Sequence, residues 1–253
     1  MLEDRSVSVC MSAYNEQQSV AETVRDCGRV LDGIPGLHTI LVVNDGSTDR
    51  TGDILESLAR EESRLRILVH PENRGIARAL AWLIEEVRSD VMFYIAADGQ
   101  WRADELNGML RKYDEGYDIV IGVRRKKQYS WYRLIVSWCY NALVRILFGK
   151  NFHDLGSIIL ARTAVWKRIP ARSTSAFFVA EKVLVAYRNG ARIGFTAVDH
   201  VQRVGGKSKF NSPLRALEAC REVIGFWLSP RSRTRADLFG EEIGGKVYPA
   251  GVS

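Results

Sequence analysis

Short apolar runs alternate with longer segments of helical period along the first half of the chain. Residues 7–11, 39–44, 65–70, 91–96 and 118–123 are apolar along their length and rich in β-branched side chains. That is the pattern of strands covered on both faces, not of strands with one wet face. Between them, residues 19–31, 48–62, 76–87 and 103–115 space their apolar positions at the period of a helix, as Ile54, Leu55 and Leu58 do. Ser47 and Thr48 offer hydroxyls for an N-cap on the second of these helices, with Asp49 in its first turn. Strand–helix alternation over the first 125 residues predicts βαβ units on a mainly parallel sheet.

The pattern changes after residue 123. Arg124, Arg125, Lys126 and Lys127 make a basic run, and residues 131–148 then read as a helix rich in Leu, Ile, Val and Trp. A second strand–helix stretch follows, with 158–161 and 191–204 extended and 177–187 helical. Residues 213–228 form another amphipathic helix, holding Leu214, Leu217, Val223, Ile224, Phe226, Trp227 and Leu228. From Ser229 the composition turns to Pro, Arg, Gly and Glu, as in a loosely ordered tail. The expected organisation is one domain over residues 1–228, its halves meeting near residue 123, and a tail at 229–253.

With 253 residues, 46% of them hydrophobic, the chain builds a full core without staples. Composition excludes a disordered or collagen-like chain. The four cysteines (Cys10, Cys27, Cys139 and Cys220) are scattered, with no C-x-x-C pair and no histidine grouped near them. A disulfide scaffold and a structural zinc site are therefore set aside, and a reducing compartment is expected. No basic-then-apolar leader opens the chain, and no run approaches the ~20 apolar residues of a membrane span. A soluble or peripheral protein is expected. The net charge of +6 suits a nucleotide, a membrane surface or nucleic acid, and does not choose among them.

Candidate chemistry gathers where an open α/β sheet binds ligands, beyond the carboxyl ends of its strands. The first strand ends in Ser12-Ala13-Tyr14-Asn15-Glu16, the second in Asn44-Asp45-Gly46-Ser47-Thr48-Asp49, and the fourth in Ala96-Ala97-Asp98-Gly99-Gln100. Tyr14 suits stacking on a base, and Glu16 and Asp45 suit accepting hydrogen bonds from base or ribose. Asn-Asp-Gly-Ser is also ordinary turn and capping chemistry. Its recurrence as polar groups on three strand ends is what points to a site.

These segments, in order with Asn73-Arg74-Gly75 and with His200, Arg203, Gly206, Lys207, Ser208, Lys209 and Phe210, resemble family 2 glycosyltransferases of the GT-A fold. Within that family the chain is most similar to the dolichyl/polyprenyl-phosphate sugar synthases, over residues 7 to 210. The resemblance implies a Rossmann-like, mainly parallel sheet flanked by helices, with amphipathic membrane-facing helices and no transmembrane span. It implies inverting transfer from a UDP- or GDP-sugar to a polyprenyl phosphate, at the cytoplasmic face of a membrane to which the protein binds peripherally. By position it makes Tyr14, Glu16, Asp45 and Ala97 donor-binding residues. It places Mg²⁺ or Mn²⁺ on Asp98 and Gln100, and puts Arg203 and Lys209 on a loop closing over the pyrophosphate and acceptor phosphate. Arg124, Arg133 and Ser137 match residues that hold the acceptor phosphate, work that suits the two-donor fork of arginine. Asp98, Arg124, Arg133, Ser137 and Arg203 are thus expected to carry catalysis. Read without the family, residues 124–127 are a solvated loop and Arg133 a snorkelling side chain.

Two departures mark the chain. The family usually has Asp-x-Asp where this sequence has Ala96-Ala97-Asp98, and an Asp-x-x-x-Gly/Ser-Phe-Arg pattern loses its Arg in the segment His153-Asp154-Leu155-Gly156-Ser157-Ile158-Ile159. A soluble transferase with a hydroxyl acceptor is the competing expectation. It needs a general base, for which Asp154 and Glu181 are the candidates, and neither reads as a strand-end residue. A non-catalytic homologue, lacking the first metal carboxylate, is the third. His38, His70 and His153 lack metal-ligand spacing and read as structural or surface residues. No nucleic-acid motif is present, and nothing indicates an oligomer.

Overall fold

Seven strands join in one sheet: β1 (Val7–Ala13), β2 (His38–Asp45), β3 (Leu65–His70), β4 (Val91–Tyr94), β5 (Ile119–Arg124), β6 (Ile159–Arg162) and β7 (Ile193–Val198). Their order across the sheet is β3-β2-β1-β4-β6-β5-β7. The computed structural model describes residues 5–125, 131–149, 152, 154–175, 177–201, 213–229 and 238, with residues 131–137, 213–217 and 219 described by backbone alone. The strands β3, β2, β1 and β4 pair in parallel, as do β5 and β7. β6 runs antiparallel between β4 and β5. The mainly parallel sheet expected from the alternation is present, with one reversed strand that periodicity does not reveal.

Eight helices flank it among the described residues: α1 (Val20–Asp32), α2 (Thr51–Glu61), α3 (Ile76–Glu86), α4 (Glu105–Asp114), α5 (Trp131–Phe148), α6 (Thr163–Arg168), α7 (Phe177–Arg188) and α8 (Pro213–Leu228). Neighbouring strand residues face opposite sides of the sheet, so each apolar run feeds two cores. Val9 and Met11 join Val24, Leu55 and Met109 in a cluster under α1, α2 and α4. Cys10 turns the other way, into a cluster with Leu83, Val144, Leu184 and Phe226 from α3, α5, α7 and α8. Leu238, beyond the boundary expected at residue 228, is buried in that second cluster.

Three expectations change. α2 starts at Thr51, and neither Ser47 nor Thr48 caps it. α6 follows β6 directly where no helix is expected, because six residues are too few to show a period. β7 covers Ile193–Val198 and does not continue through residues 199–201, while residues 202–204 of the extended run expected over 191–204 lie outside the described residues. No described helix is long and apolar enough to cross a membrane. The four cysteines are free, with Cys10 and Cys27 buried.

Candidate active site

The loops after β1 and β2 are laced together by side chains bonded to each other's backbone. Asn15 adopts a left-handed backbone, φ 57°, a conformation asparagine tolerates better than most residues. Its N–H donates to Ser47 Oγ at 3.1 Å, and its Oδ1 accepts from the Thr48 N–H at 2.8 Å. The Glu16 N–H donates to Thr51 Oγ1 at 2.8 Å, and the Gln17 N–H donates to Asp49 Oδ2 at 3.2 Å. The residues expected to cap α2 therefore join two strand ends instead. Burial pushes the Asp49 carboxyl up, but the Thr51 hydroxyl and the backbone N–H groups of Thr51 and Gln17 outweigh it and hold the group below its ordinary range.

Asp45 ends β2 and is buried. Its Oδ1 accepts from His70 Nδ1 at 2.6 Å and from the Arg74 N–H at 3.0 Å, while Oδ2 accepts from the Gly75 N–H at 2.9 Å. Beside it Gly46 has φ +67°, and a Cβ there would lie 2.3 Å from the Glu72 carbonyl carbon and 2.5 Å from the Asn73 nitrogen. Glycine is required twice, by conformation and by the approach of the β3–α3 turn.

The turn after β4 lies next along the rim. Ser19 Oγ donates to the Ala97 carbonyl at 2.8 Å and lies 3.5 Å from Glu16 Oε2, which ties Ala97 and Glu16 to one hydroxyl. Asp98 Oδ1 accepts from the Gln100 N–H at 3.1 Å, a tight turn through Gly99 at φ +70°. Trp101 then bridges to His200 in an isolated antiparallel pair, with their rings edge to face at 4.8 Å. The Arg124 guanidinium lies over the Trp101 ring, 5.0 Å from its centre. The end of β5 is thereby joined to the turn that carries Asp98.

Asp154 belongs to the same rim, although its segment does not read as a strand end in the sequence. Because β6 runs antiparallel, the turn leading into it lies where the parallel strands end. Asp154 is buried with φ 51°, accepts from the Arg124 N–H at 2.9 Å, and has Oδ1 3.6 Å from Arg124 Nη1. Glu181, the other candidate base, accepts from the Arg172 and Ser173 N–H groups at 3.1 and 2.7 Å and so fastens the turn before α7. His38 is structural as expected: Nδ1 accepts from the Val7 N–H and Nε2 faces the Ile34 carbonyl.

Tyr14, Glu16, Asp45, Ala97, Asp98, Gln100 and Arg124 thus sit at or just beyond the carboxyl ends of β1, β2, β4 and β5, on one rim. Arg133 and Ser137 fall in the first two turns of α5, described by backbone alone, and Arg203 and Lys209 lie outside the described residues, as does His153. No three His, Cys, Asp or Glu side chains among the described residues converge as a metal cage. Asp98 and Gln100 offer one carboxylate and one amide. That set fits a hard cation that takes most of its oxygens from phosphates and water, and it does not fit one held by protein alone.

The sequence model of glycosyl transferase family 2 matches residues 8–169. The undecaprenyl-phosphate 4-deoxy-4-formamido-L-arabinose transferase of Edwardsiella ictaluri is 30% identical over 237 residues, covering 86% of this chain and 72% of that protein. Among solved structures, glucosyl-3-phosphoglycerate synthase from Mycobacterium tuberculosis with Mn²⁺, uridine diphosphate and glucosyl-3-phosphoglycerate superimposes with a TM-score of 0.69 at 18% identity, covering 90% of this chain and 80% of that one. The same enzyme with Mg²⁺ and uridine diphosphate gives 0.66 at 20% identity over the same shares.

Proposed function

This chain belongs to glycosyl transferase family 2, and from that premise we propose that it transfers a sugar, with inversion, from a nucleotide-sugar to a polyprenyl phosphate at the cytoplasmic face of a membrane. The observation that carries this reading is the joining of two kinds of chemistry on one rim. Glu16, Asp45 and Asp98 supply acceptors and a carboxylate on the β1, β2 and β4 side. Arg124 supplies a guanidinium across Trp101. Tyr14, Glu16, Asp45 and Ala97 would receive the nucleoside and its sugar. Arg124 would receive the acceptor phosphate, together with Arg133 and Ser137.

In the reaction a phosphate oxygen of the acceptor forms the new bond to the anomeric carbon as the bond from that carbon to the nucleoside diphosphate breaks. A phosphate monoester is already ionised near pH 7, with a second pKa of about 6. No side chain has to remove a proton, which suits a rim where Asp154 is bonded to Arg124. Asp98 and Gln100 would hold Mg²⁺ or Mn²⁺, whose chemistry is to neutralise charge on the departing diphosphate. Arg203 and Lys209 would add positive charge to the same diphosphate and to the acceptor.

Membrane contact is part of the proposal. Trp138 and Ile146 on α5 and Ile224, Trp227 and Leu228 on α8 are exposed, and the basic run from Arg124 to Lys127 precedes α5 in the sequence. Apolar side chains at headgroup depth and basic residues, at ~1 kcal/mol each toward anionic lipid, act together at such a surface. A second reading, transfer to a hydroxyl, draws on one observation: Asp154 lies on the rim where a base is needed.

The deciding assay incubates purified full-length protein and Mg²⁺ or Mn²⁺ with labelled UDP- and GDP-sugars, offering either a short polyprenyl phosphate or soluble sugar hydroxyls. Label is expected in the lipid fraction with one donor. Transfer to the soluble acceptors alone would overturn the lipid reading and leave the hydroxyl one.

A further inference from the structure

β2 and β3 run parallel with Asp45 directly opposite His70. That register puts the carboxylate and the imidazole side by side, both buried, with Oδ1 and Nδ1 2.6 Å apart. An ionised carboxylate only accepts, so the proton of this bond sits on Nδ1. The imidazole is fixed in its other degree of freedom by stacking on Trp82, with ring centres 4.9 Å apart and planes inclined by 22°. Among the described residues His70 is the only side chain bonded to Asp45; the other two donors are the backbone N–H groups of Arg74 and Gly75. Two of these donors fall on Oδ1 and one on Oδ2, all three from the β3 end and the turn after it, so the orientation of the carboxylate is set by that segment.

We propose that His70 is a positioning residue for nucleotide binding: it aims the Asp45 carboxylate and, through it, holds the turn that carries Asn73 and Arg74 at the rim. This deepens the reading of the β2 loop as part of the donor site and rests on it. His70 would touch no substrate. Its effect would fall on donor binding, in ground and transition states alike, which raises KM and leaves kcat nearly unchanged.

The side-chain chemistry gives a test that separates aim from bulk. Asparagine places an amide N–H near the position of Nδ1, glutamine places one near Nε2, and leucine fills the space with no donor. UDP and GDP with Mn²⁺ would be titrated calorimetrically into wild type, His70→Asn, His70→Gln and His70→Leu, with thermal unfolding of each and donor KM and kcat measured alongside. His70→Leu is expected to weaken nucleotide binding and raise donor KM by about tenfold or more, the range of a lost bond to a charged group, with kcat within about threefold. His70→Asn should recover most of that loss and His70→Gln little. Equal affinity in all four proteins, or equal loss in Asn, Gln and Leu, overturns the proposal. Should the leucine variant not fold, the Asn–Gln contrast still decides. If wild type itself binds neither nucleotide, the donor-site reading fails, and this inference fails with it for that separate and visible reason.

Discussion

At the scale of single residues the proposed metal site depends on one carboxylate. Asp98 stands where a pair is usual, because Ala96 replaces the first acid, and its Oδ1 is already turned by the Gln100 N–H. Asp98→Ala should lower kcat/KM by at least about 100-fold, since a metal at a departing diphosphate contributes several kcal/mol to the transition state. Its thermal unfolding should match wild type, and retained turnover at saturating Mn²⁺ would remove Asp98 from the mechanism. Ala96→Asp should tighten Mn²⁺ binding in a titration with nucleotide present. A second residue reports on the core. Burial pushes Lys182 down to about 7, against a smaller opposing pull from Glu181, and its Nζ donates to the Ile169 carbonyl between the Trp166 and Phe178 rings. The unfolded chain binds this proton up to the ordinary lysine range while the folded one releases it near pH 7. The unfolded state therefore holds more protons in that window, and stability rises with pH from about 7 upward, by at most ~1.4 kcal/mol per pH unit. Urea midpoints at pH 7.5 and 8.5 should rise in wild type and much less in Lys182→Met; parallel slopes would show that Lys182 does not titrate there.

Among the elements, the β2 and β3 loops act as one unit because Gly46 lets them touch. Gly46→Ala combines a left-handed alanine with a Cβ inside the Glu72–Asn73 peptide. A loss of about 2–5 kcal/mol in a urea titration is expected, with weaker nucleotide binding in whatever fraction stays folded; a loss under about 1 kcal/mol would mean the two loops part easily. The strands were legible because each is an unbroken apolar run, the long helices because their apolar positions keep the helical period, and the polar strand ends followed from them. What stayed hidden was set by partners distant in sequence. Nothing near Ile159 says that β6 is reversed, and so nothing local placed Asp154 on the rim. His70 looked idle because its partner is 25 residues away and becomes adjacent only through the register of β2 and β3. Ser47 and Thr48 carry the hydroxyls of a helix cap, yet the β1 loop competes for them through Asn15 and wins.

For the molecule as a whole, the proposed lipid acceptor requires that the rim be brought to a bilayer, and no described helix is long and apolar enough to span one. α5 and α8 pack on each other through Phe148 and Phe226, 6.1 Å between ring centres, and turn other residues outward. Trp138 is 71% exposed, Ile146 78% and Leu228 69%, large apolar side chains on α5 and α8 that a bilayer would cover under this proposal. Because these three contribute little to the core, replacing them should leave the fold and the rim intact while removing apolar area from the bilayer contact. The triple variant Trp138→Ser, Ile146→Ser, Leu228→Ser is expected to unfold at the wild-type temperature and to bind UDP or GDP with Mn²⁺ as wild type does. Its partition onto vesicles containing anionic lipid should fall by about 100-fold or more, at ~1.5–3 kcal/mol for each large side chain fully withdrawn from the apolar phase. Raising salt should weaken the remaining binding further, as the basic run that precedes α5 in the sequence is screened. Turnover should then depend on how the acceptor is presented, falling with vesicle-borne polyprenyl phosphate and persisting with a short, water-soluble analogue. Unchanged vesicle binding in the variant would place the membrane contact elsewhere on the molecule. Equal losses with both acceptors would mean that α5 and α8 shape the active site itself.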